Sequence, residues 1–136
     1  MRYFLLSIVL VVTMSFASSV SAKIGDNEEQ IAEAFGKPVR SKFPDKRGIT
    51  TNTYQKGDYM ILVQFLKHLS IAESYTRVDQ REFSEAELNT FLEGKSYSSH
   101  SWIKDPNKME WVRIDRHARA WCETISGRPT FLIEVQ

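Results

Sequence analysis

The sequence predicts an α+β fold: an antiparallel sheet with two short helices on one face, in the order helix, strands, helix, strands. Three observations predict it. Two segments, Asp26 to Lys37 and Ser84 to Lys95, carry helix start and stop signals. Each is followed by runs rich in β-branched and aromatic residues, separated by short turn signals. The cap residues also recur at one spacing of 58: Asp26 and Ser84, Glu29 and Glu87, Gly36 and Gly94, Lys37 and Lys95. The apolar helix positions do not superpose at that spacing. The recurrence therefore suggests a structural duplication without establishing a sequence repeat.

The chain opens with a basic start, an apolar run from Phe4 to Met14, and small residues ending in Val20-Ser21-Ala22. This is the pattern of a secretory signal peptide, residues 1–22. The apolar run has about eleven residues, and a membrane-spanning helix needs about twenty. Val20 and Ala22 occupy the small-residue positions before a cut after Ala22. No cysteine follows that cut, so lipoprotein processing is not expected. The product expected is one periplasmic or secreted α+β domain, 23–136, with no membrane span. Of 18 basic residues, one (Arg2) lies in the leader, which leaves 17 against 17 acids. That balance argues against a nucleic-acid partner, which needs a basic excess.

The first mature element is a helix capped by Asp26 or Asn27, with Glu29 or Gln30 closing a capping box. Ile31 and Phe35 share a face, and Gly36 with Pro38 ends it. The loop to Gly48 is the most basic stretch, with Lys37, Arg40, Lys42, Lys46 and Arg47 against Asp45 alone. It reads as a solvated loop or as a contact for an anion or polysaccharide. Thr50 to Gln55 is a strand, and Lys56-Gly57-Asp58 a turn. Tyr59 to Leu66 is a central strand apolar on both faces. Lys67-His68-Leu69 turns the chain into Ile71 to Val78, which completes a meander.

The second helix has the clearest local grammar. Ser84 and Glu87 form a capping box, Phe83 and Leu88 a hydrophobic staple. Leu88, Phe91 and Leu92 make its apolar stripe, and Gly94 ends it. Ser96 to Asn107 reads as a Ser-rich loop. Strands resume at Met109 to Asp115, Ala118 to Ile125 and Thr130 to Val135, with a turn at Ser126 to Pro129.

The chemistry-bearing residues form no local motif. There is no Gly-rich phosphate loop, no CxxC and no HExxH. His68, His100 and His117 are scattered, so neither a metal nor a cofactor is expected. The single Cys122 cannot form an intramolecular disulfide. Among small neighbours on a strand, it reads as a core residue and not a nucleophile. Acids in the first helical turns suit the helix dipole. What remains is a surface. Trp111, Arg113, Arg116, Arg119 and Trp121 interleave in one stretch, and Trp and Arg are the residue types that dominate protein interfaces. Against this stands packing of Trp111 in the core, with the arginines as solvated partners of Glu110 and Asp115.

Residues 26 to 78 add a resemblance. The short acidic helix ending Phe35-Gly36-Lys37-Pro38 is followed by a strand bearing Tyr54 and an apolar strand ending Gln64-Phe65. This resembles the repeating unit of small exported bacterial proteins with a β-lactamase-inhibitor-protein-like, or SmpA/OmlA-like, fold. The resemblance implies short helices packed against an antiparallel sheet and a role in binding other proteins. No binding residue carries over from it. The function expected is a non-enzymatic protein-interaction domain of the bacterial cell envelope. The alternative is a small hydrolase of an envelope polymer, using carboxylates that the fold brings together.

Overall fold

Helix α1 (Glu28–Phe35) begins where its first free N–H groups find side-chain acceptors. Asn27 accepts from the Gln30 N–H, and Gln30 accepts from the Asn27 N–H, both at 2.9 Å. Helix α2 (Glu85–Glu93) starts in the same way, with Ser84 and Glu87 bonded reciprocally at 3.1 and 3.0 Å. Gly36, at φ +86°, ends α1. The Lys56 ammonium donates to the Ala34 carbonyl at 2.9 Å, a cation at the helix C-terminus. The computed structural model describes residues 24–93 and 102–136. The expected signal peptide, Gly94, Lys95 and His100 lie outside them.

Eight strands form in these residues: β1 (Arg40–Ser41), β2 (Thr50–Lys56), β3 (Tyr59–Leu66), β4 (Leu69–Arg77), β5 (Trp102–Lys104), β6 (Glu110–Arg113), β7 (Ala118–Ile125) and β8 (Arg128–Val135). They make one antiparallel sheet in the order β1-β2-β3-β4-β8-β7-β6-β5. The protein is thus of the α+β class, mostly sheet. Each helix precedes a four-strand meander, and the meanders join through their last strands, β4 and β8. Strands β1 and β5 fall in stretches that read as loop. Both are two- or three-residue edge strands without alternation, formed because a longer neighbour offers its unpaired edge.

Strand alternation sends Tyr54, Ile61, Val63, Phe65, Tyr75, Trp111, Ala120, Phe131 and Ile133 to one face. There they bury Ile31 and Phe35 of α1 and Leu88, Phe91 and Leu92 of α2. Aromatic rings tie the two helices to the middle of the sheet. Tyr75 meets Phe35 edge-on at 6.3 Å and stacks on Phe91 at 4.5 Å. Phe91 also reaches Phe131 at 5.9 Å and Tyr59 at 5.1 Å. The buried Tyr75 hydroxyl is matched by the Glu73 carboxylate, which accepts from it at 2.8 Å.

The β3–β4 hairpin closes directly at Leu66↔Leu69, leaving Lys67 and His68 as a two-residue loop with φ of +51° and +66°. Asn-Gly holds such a loop with less strain, because Asn tolerates the left-handed region and Gly has no Cβ to clash there. Replacing Lys67-His68 with Asn-Gly should raise stability by about 0.5–1 kcal/mol. An unchanged or lower urea midpoint would count against this assignment.

An ionic cluster fastens the end of β4 to the start of α2. Arg77 is bidentate to Asp79, at 2.9 and 2.8 Å, and also donates to Glu87, which the Tyr59 hydroxyl bonds as well. The hydrogen bonds from Arg77 hold the Asp79 carboxyl below its ordinary 3.8. Burial pushes Glu87 up, but the Ser84 N–H, Tyr59 and Arg77 outweigh it and leave it below its ordinary 4.5. Burial and the Glu87 contact push Tyr59 up to about 12. Carboxylates lowered by folding stabilise the protein above their unfolded pKa, and that contribution is lost as pH falls through the lower folded values. Arg77→Gln should therefore flatten the loss of stability below about pH 4. Urea midpoints at neutral and acid pH, falling equally in parent and variant, would refute it.

Candidate functional site

The second face of the sheet carries no helix among the described residues. Two rows of side chains cross its middle, as strand register and alternation require. One runs Gln64, Ala72, Glu134, Arg119 and Val112. The other runs Leu62, Ser74, Leu132, Trp121 and Glu110. Ala72 and Ser74, on central β4, are small. Longer side chains on β3, β8 and β7 stand around them. The result is a depression of about 150 Å³, lined by Leu62, Gln64, Ala72, Ser74, Trp121 and Leu132 among others. Leu62, on the second apolar face read for Tyr59 to Leu66, is 39 % exposed here.

Trp121 is held in place on this face. The Arg119 guanidinium lies over its ring at 4.2 Å, a cation–π contact. Arg119 is itself fixed by Glu134, with Nε to Oε1 at 2.8 Å. The indole Nε1 donates to Glu123 at 3.0 Å. A large amphipathic ring thus stands half-buried beside an apolar depression, with both its π face and its N–H engaged. Its rotamer is set before any partner arrives, which lowers the entropic cost of binding.

The five residues singled out in the sequence are divided by the fold. Arg119 and Trp121 share the open face. Trp111 pairs with Ala120 and is only 3 % exposed, packed edge-on to Phe131 at 5.7 Å. It belongs to the core on the opposite face. Arg113 has the parity of Trp111 and pairs with Asp115 at 2.9 Å. The Arg113 bond holds the Asp115 carboxyl down to about 2. Arg116 is exposed in the β6–β7 turn, with φ of +61°. The physical reason is register. Both tryptophans have odd numbers, but odd Trp111 pairs with even Ala120, so odd positions of β6 and β7 face opposite ways. Leu62, Ala72, Ser74 and Leu132 carry no signal of their own in sequence, except that Leu62 belongs to a strand apolar on both sides.

Other chemistry is sparse. Cys122 is half-buried and borders a depression with Phe83, Leu88, Met109 and Pro129. Burial pushes its thiol pKa up, which disfavours the thiolate. His68 lies 3.7 Å from Glu28 on an exposed turn, and His117 is exposed beyond β6. Among the described residues no group of three or more His, Cys, Asp or Glu side chains converges as a metal site would require. A hydrolase would need two carboxylates facing one space. In the central depression Glu134 is taken by Arg119, and the Glu73 side chain is turned to the core at 2 % exposure. The depression beside Cys122 is lined by two acids, Glu82 and Glu123, and Glu123 accepts from the Trp121 indole. No helix among these residues is long and apolar enough to cross a membrane.

No protein-family model matches the chain, and no curated protein matches it. Among solved structures, the chain is similar to a cysteine-rich secretory protein from Staphylococcus aureus, with a TM-score of 0.45 and 11 % identity. The match covers 83 % of this chain and 44 % of that one, so the chain spans less than half that protein's length.

Proposed function

We propose that this chain is a non-enzymatic protein-interaction module exported to the bacterial cell envelope, and that a partner protein docks on the open sheet face around Trp121. One observation carries the proposal. A Trp–Arg pair, locked by Glu134 and Glu123, stands beside an apolar depression on a face that no helix of the described residues covers. Trp and Arg anchors beside a desolvated pocket are where binding energy concentrates. The reading agrees with the resemblance to β-lactamase-inhibitor-protein-like domains, whose sheets are likewise packed by short helices.

The test is capture from an envelope extract by the exported protein, compared with an Arg119→Glu variant. Charge reversal should release Trp121 from its clamp, set a second carboxylate against Glu134 where the guanidinium had paired with it, and abolish retention of the specific partner. Retention unchanged by Arg119→Glu would remove this face from the proposal.

We further propose that the fold arose by internal duplication, with a step one residue shorter than the cap spacing of 58. At a step of 57, Asn27, Gln30, Ile31, Phe35 and Tyr54 fall on Ser84, Glu87, Leu88, Leu92 and Trp111. The first two are cap and third-residue partners, and the other three are buried core positions in both halves. The two halves meet at the Ser74↔Leu132 pair, beside the depression. A docking face at such a junction draws side chains from both halves. An experimental structure in which residues 24–77 and 84–135 fail to superpose through a two-fold axis would refute the duplication.

A further inference from the structure

The basic loop between α1 and β2 is not used by the open face, and its composition is unusual. Phe43 is 97 % exposed and Val39 61 % exposed. Around them Lys37, Arg40, Lys42, Lys46 and Arg47 are all exposed. The one acid of the stretch, Asp45, is turned inward on its own loop. It accepts from the Arg47 and Ile49 N–H groups at 2.8 and 3.0 Å and pairs with the Arg47 guanidinium at 3.4 Å. Those bonds hold its carboxyl below 3.8, with the Ile49 N–H contributing most. Asp45 thus offsets Arg47 and leaves the four other cations facing solvent.

The loop is also anchored. The Val39 N–H donates to the Thr53 carbonyl at 2.8 Å, Lys42 to Thr51 at 3.0 Å, and Asp45 to Ile49 at 3.0 Å. Phe43 is therefore presented at a fixed place on the outer edge of the sheet, beside β1. We propose that this loop docks the protein on an anionic lipid bilayer, with the cations against the headgroups and Phe43 entering the interface. Charge complementarity with the anionic surface draws the loop in. A fully exposed phenylalanine gains free energy on entering an apolar medium, and the headgroup–acyl boundary is where an aromatic flanked by lysines settles. An acidic polymer would satisfy the cations but give Phe43 nothing to enter. Strands β8 and β7 lie four and five places from β1 in the sheet, roughly 20 Å away at about 4.8 Å per strand. Bilayer docking through the edge leaves Trp121 accessible.

The full chain is expressed with export, the recovered product's mass is determined, and its cosedimentation is measured with two vesicle types. One is phosphatidylcholine alone, the other contains about one-third phosphatidylglycerol as the anionic lipid. Binding is expected to the anionic vesicles and to weaken as salt rises. Lys42→Glu with Lys46→Glu should weaken it by about thirtyfold or more, at about fivefold per cation lost. Phe43→Ser should weaken it by about tenfold. All three positions are exposed, so the circular dichroism and melting temperature of the variants should match the parent. Trp121→Ala should leave vesicle binding unchanged, which separates this proposal from the docking face. Equal binding to neutral and anionic vesicles would overturn it. So would loss on charge reversal with no effect of Phe43→Ser, which would assign the loop to an anionic polymer or protein instead.

Discussion

Phe91→Ala should lower the stability of this protein by about 3–5 kcal/mol, the cost of removing a buried aromatic ring and leaving a cavity. Phe91, with Leu88 and Leu92 buried beside it, is the aromatic side chain by which α2 meets the sheet. Its ring stacks on Tyr75 and lies near Phe131, Tyr59 and Phe83, at centroid distances of 4.5, 5.9, 5.1 and 5.8 Å. Those rings come from β4, β8, β3 and the approach to α2, so no single neighbour can fill the space by changing rotamer. Small domains have only about 5–15 kcal/mol in total. The variant should thus show a large drop in urea midpoint with little change in slope. A loss under about 1 kcal/mol would mean that the aromatic cluster is not the centre of the core.

Trp121→Ala should have the opposite profile. If the proposed docking face is right, it should weaken partner binding there by about 2–4 kcal/mol, roughly thirtyfold or more, as truncation of a central anchor does. Its effect on stability should be well below that of Phe91→Ala, because Trp121 stands on the solvent side of the sheet and is only half-buried. Trp111→Ala provides the contrast within one stretch of sequence. It removes a core ring packed on Phe131 and should destabilise without acting directly on the proposed docking face. Titration calorimetry or surface binding with the captured partner, together with urea unfolding of both variants, checks the pair. Equal effects of the two tryptophans on stability and binding would contradict the separation of faces.

Much of the fold was legible because it is written locally. The Ser84–Glu87 box, the Phe83 staple and the Leu88, Phe91, Leu92 stripe mark α2 within a single turn or two. Tyr59–Leu66 stands out through eight successive strand-favouring residues. The α1 cap resolves to Asn27 and Gln30, one residue after Asp26 and Glu29. That single step accounts for apolar helix positions that fail to align at 58 and align at 57. Strands β1 and β5 were not legible, since Arg40–Ser41 and Trp102–Lys104 have too few residues for a period. Their extended form depends on the free edges of β2 and β6.

The candidate site divides in the same way. The sequence marks Trp121 and Arg119 as interface residue types, and the fold places them together with Glu134, fifteen residues on, in one clamp. It marks Trp111 equally, and the fold buries it. Ala72 and Ser74 are ordinary small residues until β4 is known to lie in the middle of the sheet between taller neighbours.

The sequence by itself determined the class of fold, the two capped helices, the long strands and their tight turns, because each rests on interactions between residues a few positions apart. Only the tertiary structure decided the join of β4 to β8, the register of β6 on β7, and hence which face each tryptophan occupies. Those depend on contacts between strands distant in the chain, and a one-residue change of register sends every side chain to the other face.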